Sequence, residues 1–308
     1  MLILICGDSH LTGRNPLCRK DDLVTLQFKK WIEIRDIANK HDAPIIHTGD
    51  IFNTAVVANS LLTQLGGILS YLKKPLYFVW GNHDLQYHSL EMWRRTSLGV
   101  MWFNNDKVRH ISEWDLDDNR WDWIDWNQEH VPTNSTLLLS HKAIINYKQV
   151  GRNSWIMKDK EFCGDVADET FSHYKLIVCG HWHHPYIYKY KNTRVINPGP
   201  MTRQSIDEWI NPSVLLLDTK TLIHKKIYLD TPDPEEVLSK THTEHRIKSY
   251  TEGVLKFVDA LKNKKLVTQK SFLKNLMALL DSHELDENLE ELFRDIISTA
   301  LEKGALIK

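Results

Sequence analysis

Short apolar runs alternate with polar, helix-length stretches over the first three quarters of the chain. Residues 2–6, 44–47, 76–80, 108–111, 136–139, 176–179 and 195–196 are strand-like, and 213–218 and 223–228 follow close together. Between the first two runs, Leu23, Leu26, Phe28, Ile32, Ile34 and Ile37 recur at roughly helical spacing, which predicts a helix over 23–39. A second helix is predicted over 56–72. So many strands overfill one doubly wound sheet. Two sheets flanked by helices accommodate them, with β character growing toward the second half: an α/β fold.

The pattern changes at Asp230-Thr231-Pro232-Asp233-Pro234. Residues 1–229 read as one domain, 230–245 as a linker and 246–308 as a small helical region. Three apolar stripes mark that tail: one through Ile247, Val254 and Leu261, one through Phe272, Leu276 and Leu280, one through Leu285, Leu292 and Ile296. Either they bury one another in a bundle, or one stripe receives a partner helix.

Composition narrows the options. The 308 residues are 42% hydrophobic and 26% charged, a profile of globular proteins. No run approaches the roughly 18 apolar residues of a membrane span. The opening MLILICGDSH has no basic segment ahead of its apolar run and reads as a buried strand rather than a signal peptide. Cys6, Cys18, Cys163 and Cys179 show no CxxC spacing and read as reduced core thiols, which implies a cytoplasmic setting. With 39 basic and 40 acidic residues the formal charge is −1, so bulk electrostatics do not argue for nucleic acid.

Chemistry enters at the strand ends. In order, the candidate ligands are Asp8, His10, Asp50, Asn82, His83, Asp84, His141, His181 and His183, and each group follows a strand-like run. In an extended segment residues i and i+2 face one way, so Asp8 and His10 address one cation; His181 and His183 do likewise, or divide between two. Glycines at 7, 49, 81 and 180 let the backbone bend sharply beside them without a Cβ clash. Mixed carboxylate, imidazole and amide donors suit Mn²⁺, Fe²⁺ or Zn²⁺ better than Ca²⁺, and the missing thiolates argue against a structural zinc cluster.

Asp-x-His, Gly-Asp, Gly-Asn-His-Asp, His and Gly-His-x-His in this order resemble the calcineurin-like metallophosphoesterase superfamily over about residues 1–229. The resemblance implies a four-layer α/β/β/α sandwich. It also implies one metal held by Asp8, His10, Asp50 and His183 and a second held by Asp50, Asn82, His141 and His181, with Asp50 bridging. Two divalent cations, Mn²⁺ foremost with Mg²⁺, Fe²⁺ or Zn²⁺ as alternatives, then lie about 3.5–4 Å apart and activate water for in-line attack on phosphorus. His83 becomes the general acid or a donor to the phosphorane oxygens, and Asp84 fixes its tautomer and raises its pKa. The bland reading of Asp84 is a helix N-cap.

Within the superfamily, Asp8-Ser9-His10-Leu11, Gly49-Asp50-Ile51-Phe52 and Asn197-Pro198-Gly199-Pro200 resemble the nuclease subunit of bacterial and phage SbcCD-type DNA repair complexes. That implies exonuclease or endonuclease action on DNA ends and a coiled-coil ABC-type ATPase partner bound through C-terminal helices. It also implies a homodimer formed near 56–72 and 90–95, in a bacterial or phage-infected cytoplasm. Asn53 departs from archaeal and eukaryotic members, which carry histidine shortly after the bridging Asp. Arg14, Arg19 and Lys20 are candidates for backbone phosphates, Asn53 and Trp182 for other substrate contacts. Lys262, Lys264, Lys265, Lys270 and Lys274 are a nucleic-acid face or an ordinary solvated one. Trp114, Trp121, Trp123 and Trp126 stack on bases or pack the core, with packing favoured. The rivals are a small-substrate metallophosphatase or cyclic nucleotide phosphodiesterase, and a non-enzymatic scaffold.

Overall fold

A computed structural model describes residues 1–117, 120–150 and 163–241, with side chains omitted at 149 and 150. The tail over 246–308, with its stripes and lysines, lies outside the described residues. Two compact units divide the chain: Met1–Asn15 with Asp21–Leu238, and Pro16–Lys20 with Ser239–Lys308.

In the first unit, strands β1 (Leu2–Cys6), β2 (Ile45–His47), β3 (Leu76–Phe78) and β4 (Val108–His110) run parallel in one sheet. β5 (Trp121–Ile124), β6 (Leu137–Ser140), β7 (Ala143–Ile145), β8 (Cys163–Asp165), β9 (Leu176–Cys179), β10 (Tyr186–Tyr190), β11 (Thr193–Asn197), β12 (Ser213–Asp218) and β13 (His224–Tyr228) follow. The first sheet has the order β13-β12-β1-β2-β3-β4 and the second β10-β11-β9-β6-β5; β7 and β8 pair separately. β12 crosses back to pair antiparallel with β1, Ile5 opposite Leu215.

Alternation along β1 explains the layering. Leu4 and Cys6 face a core that holds Phe28, Trp31 and Ile34 of helix α1 (Leu23–Lys40) and Leu65 and Leu69 of helix α2 (Asn59–Ser70). Ile3 and Ile5 face the other way, into a core shared with Leu137, Leu139, Leu176 and Val178 of the second sheet. Leu138, Ile177 and Val195 on the far face of that sheet meet Ile144, Phe171 and Tyr174. The result is an α/β sandwich of two mixed sheets with helices outside, and the cores lie between layers.

Helix α1 begins where Asp22 accepts a hydrogen bond from the Thr25 amide at 3.1 Å. Helix α2 starts three residues later than its apolar pattern predicts. Residues 55–57 are drawn instead to the start of α3 (Ser97–Asn104): Ser97 N–H donates to Ala55 O (2.7 Å) and Val57 N–H to Ser97 Oγ (2.9 Å). β5 was hidden in a Trp- and Asp-rich segment, and β10 in an edge strand whose alternate residues are exposed. No helix among the described residues is long and apolar enough to cross a membrane.

Candidate metal centre

The parallel strands β1, β2 and β3 of one sheet and β6 and β9 of the other each end in a loop carrying polar side chains. Pairing between β1 and β2 persists past the strands: Asp8 N–H donates to Gly49 O (3.3 Å) and His10 N–H to Asp50 O (2.9 Å). Along this stretch the backbone is not extended. Asp8, His10, Asp50 and His181 have φ of 46, 43, 53 and 67°. The i, i+2 argument for Asp8 and His10 therefore fails in detail, because left-handed turns aim the two side chains. Such turns are costly for residues with a Cβ and persist only where surroundings fix them. Gln27 of α1 helps to do so, donating to His10 O at 2.9 Å.

Of the four glycines, only Gly49 needs its freedom of φ, at 97°. The other three allow close approach instead. A Cβ on Gly81 would lie 2.1 Å from Asp50 Oδ1 and 2.3 Å from its amide nitrogen. On Gly7 and Gly180 it would strike Thr48 Oγ1 at 2.0 and 2.4 Å. The Cβ clash that glycine was expected to avoid is real at those three, while the special backbone conformation is confined to Gly49.

The loops converge. Three groups of side chains each bring one ligand atom apiece within 4.8 Å of one another: Asp8, His10 and His183; His10, Asp50 and His83; Asp50, His141 and His181. Asp50 Oδ2 lies 3.6 Å from His10 Nε2 and 3.3 Å from His141 Nε2. Asn82 Oδ1 lies 3.0 Å from His141 Nε2 and 3.1 Å from His181 Nδ1. His10 and His183 point their Nε2 atoms at each other, 3.0 Å apart. Asp8 Oδ2 and His10 Nδ1 are buried without a hydrogen-bond partner. Buried polar atoms are normally satisfied, so imidazole nitrogens and carboxylate oxygens crowded together with orphans among them fit a divalent-cation centre.

Electrostatics bear this out. Burial drives His10 well below the usual imidazole range and takes His181 down to about 3. Burial also raises the Asp8 carboxyl. Burial opposes the charge of Asp50 too, but His141, then His10 and His83, outweigh it and hold the carboxyl far below its ordinary value. His141 is the counterpart: burial works against its charge, yet Asp50 lifts it to about 9. Burial thus favours neutral imidazoles at His10 and His181, the form that offers a lone pair to a cation, while Asp50 and His141 compensate one another.

Outer contacts orient the imidazoles. His141 Nδ1–H donates to Thr48 O at 2.8 Å, which leaves Nε2 for the centre. His83 Nδ1–H donates to Asn53 O at 2.9 Å, and its ring meets His10 edge-on at 4.8 Å. Asn53 thus contributes through its main chain. The role expected of Asp84 is corrected here. Its carboxylate does not hold His83; it accepts from the amides of Phe52 (3.0 Å), Gly81 (3.2 Å) and Ile51 (3.3 Å). It caps no helix either: it ties the second loop to the third. Burial, then Asp50, raise its pKa.

Other expectations fare differently. Arg19 is buried, so it presents no guanidinium to an incoming phosphate, whereas Lys20 is exposed; both belong to the second unit. Arg14 is partly exposed. Trp182 packs with Tyr147 and Tyr186 against Ala143, Ile145 and Cys163. Trp121 and Trp126 are buried, Trp114 lies 4.8 Å from Tyr77, and Trp126 leans on His181 at 5.0 Å. Core packing accounts for these three; Trp123 is the more exposed one.

Sequence reasoning missed two supports. His47 receives the Gly49 amide on Nδ1 (3.2 Å) and reaches Ser9 Oγ through Nε2 (3.1 Å), and burial keeps it neutral, with a pKa near 3. Its place at the end of β2, before Gly49-Asp50, was the available signal. Glu208 lies 2.6 Å from His183 Nδ1, and no motif in its polar loop announced it.

Residues 1–222 match the calcineurin-like phosphoesterase superfamily domain. The chain belongs to that superfamily. Solved structures similar to it include an archaeal phosphodiesterase, 17% identical, covering 74% of this chain and 100% of its own with a TM-score of 0.41. Zinc-complexed Vps29 from Entamoeba histolytica is 14% identical over 74% of this chain and 99% of its own, TM-score 0.31. A Staphylococcus aureus protein assigned as a 5'-nucleotidase and solved with alpha-ketoglutarate is 11% identical over 81% of this chain and 58% of its own, TM-score 0.44. No curated protein sequence matches the chain. The superfamily member thus carries His/Asp clusters of the kind that hold divalent metals in a hydrolytic phosphoesterase centre.

Proposed function

We propose that this chain is a phosphodiester hydrolase that uses two divalent cations, Mn²⁺ foremost, to cut DNA ends as the nuclease subunit of a repair or recombination complex. The observation that carries the hydrolase reading is the set of three overlapping clusters that share His10 and Asp50. Asp8, His10 and His183 would hold one ion and Asn82, His141 and His181 the other, with Asp50 serving both. Cations bound there supply Lewis-acid charge that activates water and neutralises phosphate. His83, with Nδ1–H committed to Asn53 O, keeps Nε2 for the site. In its imidazolium form it would donate the Nε2 proton to a phosphoryl or leaving oxygen. Asp84 keeps the loops of Asp50 and His83 in register.

DNA as the substrate is supported by the motif resemblance in residues 8–11, 49–52 and 197–200. Homodimer formation and an ATPase partner bound through residues 246–308 belong to the same reading. The test is release of nucleotides from 3′ ends of linear duplex DNA with Mn²⁺, against hydrolysis of bis-p-nitrophenyl phosphate. Asp8→Ala should abolish both, and His83→Ala should cut turnover by roughly 10²–10⁴-fold with metal retained. Turnover of the small ester with inert DNA would replace the DNA reading with a small-substrate phosphodiesterase. Unchanged turnover in His83→Ala would remove that residue from the mechanism.

A further inference from the structure

Two histidines of the centre, His141 in the group with Asp50 and His183 in the group with Asp8 and His10, are oriented by different means. His141 is held by a main-chain carbonyl, Thr48 O. His183 is held by a side chain from a distant loop: Glu208 Oε1 lies 2.6 Å from Nδ1. We infer that Glu208 is a positioning residue for one metal site, fixing His183 in the tautomer that turns its Nε2 lone pair toward Asp8 and His10. The inference rests on the metal reading above and adds a residue to it.

Three observations carry it. Glu208 is only 6% exposed, and burying a carboxylate is unfavourable unless it finds a donor. Both its oxygens are committed, Oε1 to His183 and Oε2 to the Gln204 amide. Glu208 is absent from the clusters of potential ligand atoms that His183 joins, so its carboxylate acts through the histidine. The loop itself is anchored. Arg203 is buried, with Nε donating to Ile210 O at 2.7 Å and Nη2 to Asn211 Oδ1 at 3.3 Å. Gln204 Nε2 donates to Thr202 Oγ1 at 3.1 Å and reaches His10 O at 3.5 Å. One short loop therefore braces both histidines of the Asp8–His10–His183 group.

The bland alternative is a carboxylate that merely closes its own loop. That role needs only the bond to Gln204 and would leave metal affinity alone. A carboxylate behind a ligating imidazole fixes its orientation and raises its basicity, and its loss typically costs 10–100-fold in affinity.

The experiment is Mn²⁺ titration of metal-free full-length protein by calorimetry, with electron paramagnetic resonance of the bound ions as second readout. Wild type should take up two ions. Glu208→Gln, which preserves shape, and Glu208→Ala should each weaken one site by roughly 10–100-fold. The other site should stay within threefold, and the spin-coupled two-ion signal should fall at sub-saturating Mn²⁺. Thermal unfolding without metal should stay within a few degrees of wild type for Glu208→Gln. Two ions in wild type with unchanged constants in both variants would overturn this proposal alone. Fewer than two ions in wild type would overturn the metal reading and this proposal with it.

Discussion

Two of the buried carboxylate clusters in the first unit are finished differently. In one, Asp122 of β5 accepts from the Thr133 hydroxyl (2.5 Å) and amide (2.8 Å) and from the Tyr174 hydroxyl. Tyr174 Oη is also 2.9 Å from His130 Nε2. Both oxygens of that carboxylate are occupied from within the chain, and only the outlying ring nitrogen of its neighbour, His130 Nδ1, is buried without a partner. In the other, Asp8 Oδ2 and His10 Nδ1 are orphaned, and imidazole nitrogens confront one another across 3.0 Å. Burial and charge are common to both clusters. What separates structure from function is whether the donors and acceptors balance.

The sharpest way to break that contrast is to remove the shared carboxylate. Asp50→Asn keeps the volume and deletes the charge between His10 and His141. Hydrolysis of bis-p-nitrophenyl phosphate with Mn²⁺ should fall by roughly 1,000-fold or more, and uptake of both ions should weaken together. Asp122→Asn should leave both quantities unchanged. Loss of only one ion in the Asp50 variant would show that the two halves do not share it.

The contrast was only partly legible in the sequence. All the ligand candidates at 8, 10, 50, 82, 83, 141, 181 and 183 could be read because each follows an apolar strand, and continuous apolar runs such as 2–6 and 213–218 are local signals. The left-handed turns at Asp8 and His10 were not legible, since they are enforced by pairing with the second loop and by Gln27. Nor was the partner of His83: Asp84 is adjacent in sequence, but main-chain amides from two loops claim its carboxylate. Glu208 and the Thr48 carbonyl act across long chain separations and carry no periodicity. Helix α2 lost its first turn to hydrogen bonds with α3, another tertiary override of a local pattern.

A smaller effect should come from space rather than charge. Gly81 touches Asp50 so closely that Gly81→Ala must push either the carboxylate or the Asp50 backbone aside. Overpacking of this kind typically costs about 1–3 kcal/mol, read as a lower urea midpoint. Metal affinity should fall as well, because the displaced atom, Asp50 Oδ1, belongs to the carboxylate between the histidines. Gly66→Ala is the control, since nothing lies within 4 Å of its added carbon and α2 tolerates alanine better than glycine. Equal stability of the two variants would show that the third loop has slack, and that the open cluster is less tightly built than its glycines imply.

The smallest effect tests the closed cluster through pH. Burial works against the charge of Asp122, but the Thr133 hydroxyl and amide, with the Tyr174 hydroxyl, outweigh it and hold the carboxyl below its ordinary value of 3.8. A carboxyl depressed in the folded state adds stability that is fully present above 3.8 and is lost as pH falls through the lower folded value. Asp122→Asn should therefore destabilise the protein at pH 7 by about 1.5–3 kcal/mol, the usual scale for hydrogen bonds to a charged group. The gap between variant and wild type should close as pH drops below 3.8, because the protonated aspartate becomes nearly isosteric with asparagine. Adding Mn²⁺ should raise stability in both proteins equally, since the Asp122 carboxylate has no unfilled oxygen to offer an ion. An Asp122 variant that lost the response to Mn²⁺ would mean that the two clusters are coupled through the second sheet, and the distinction between balanced and unbalanced sites would have to be redrawn.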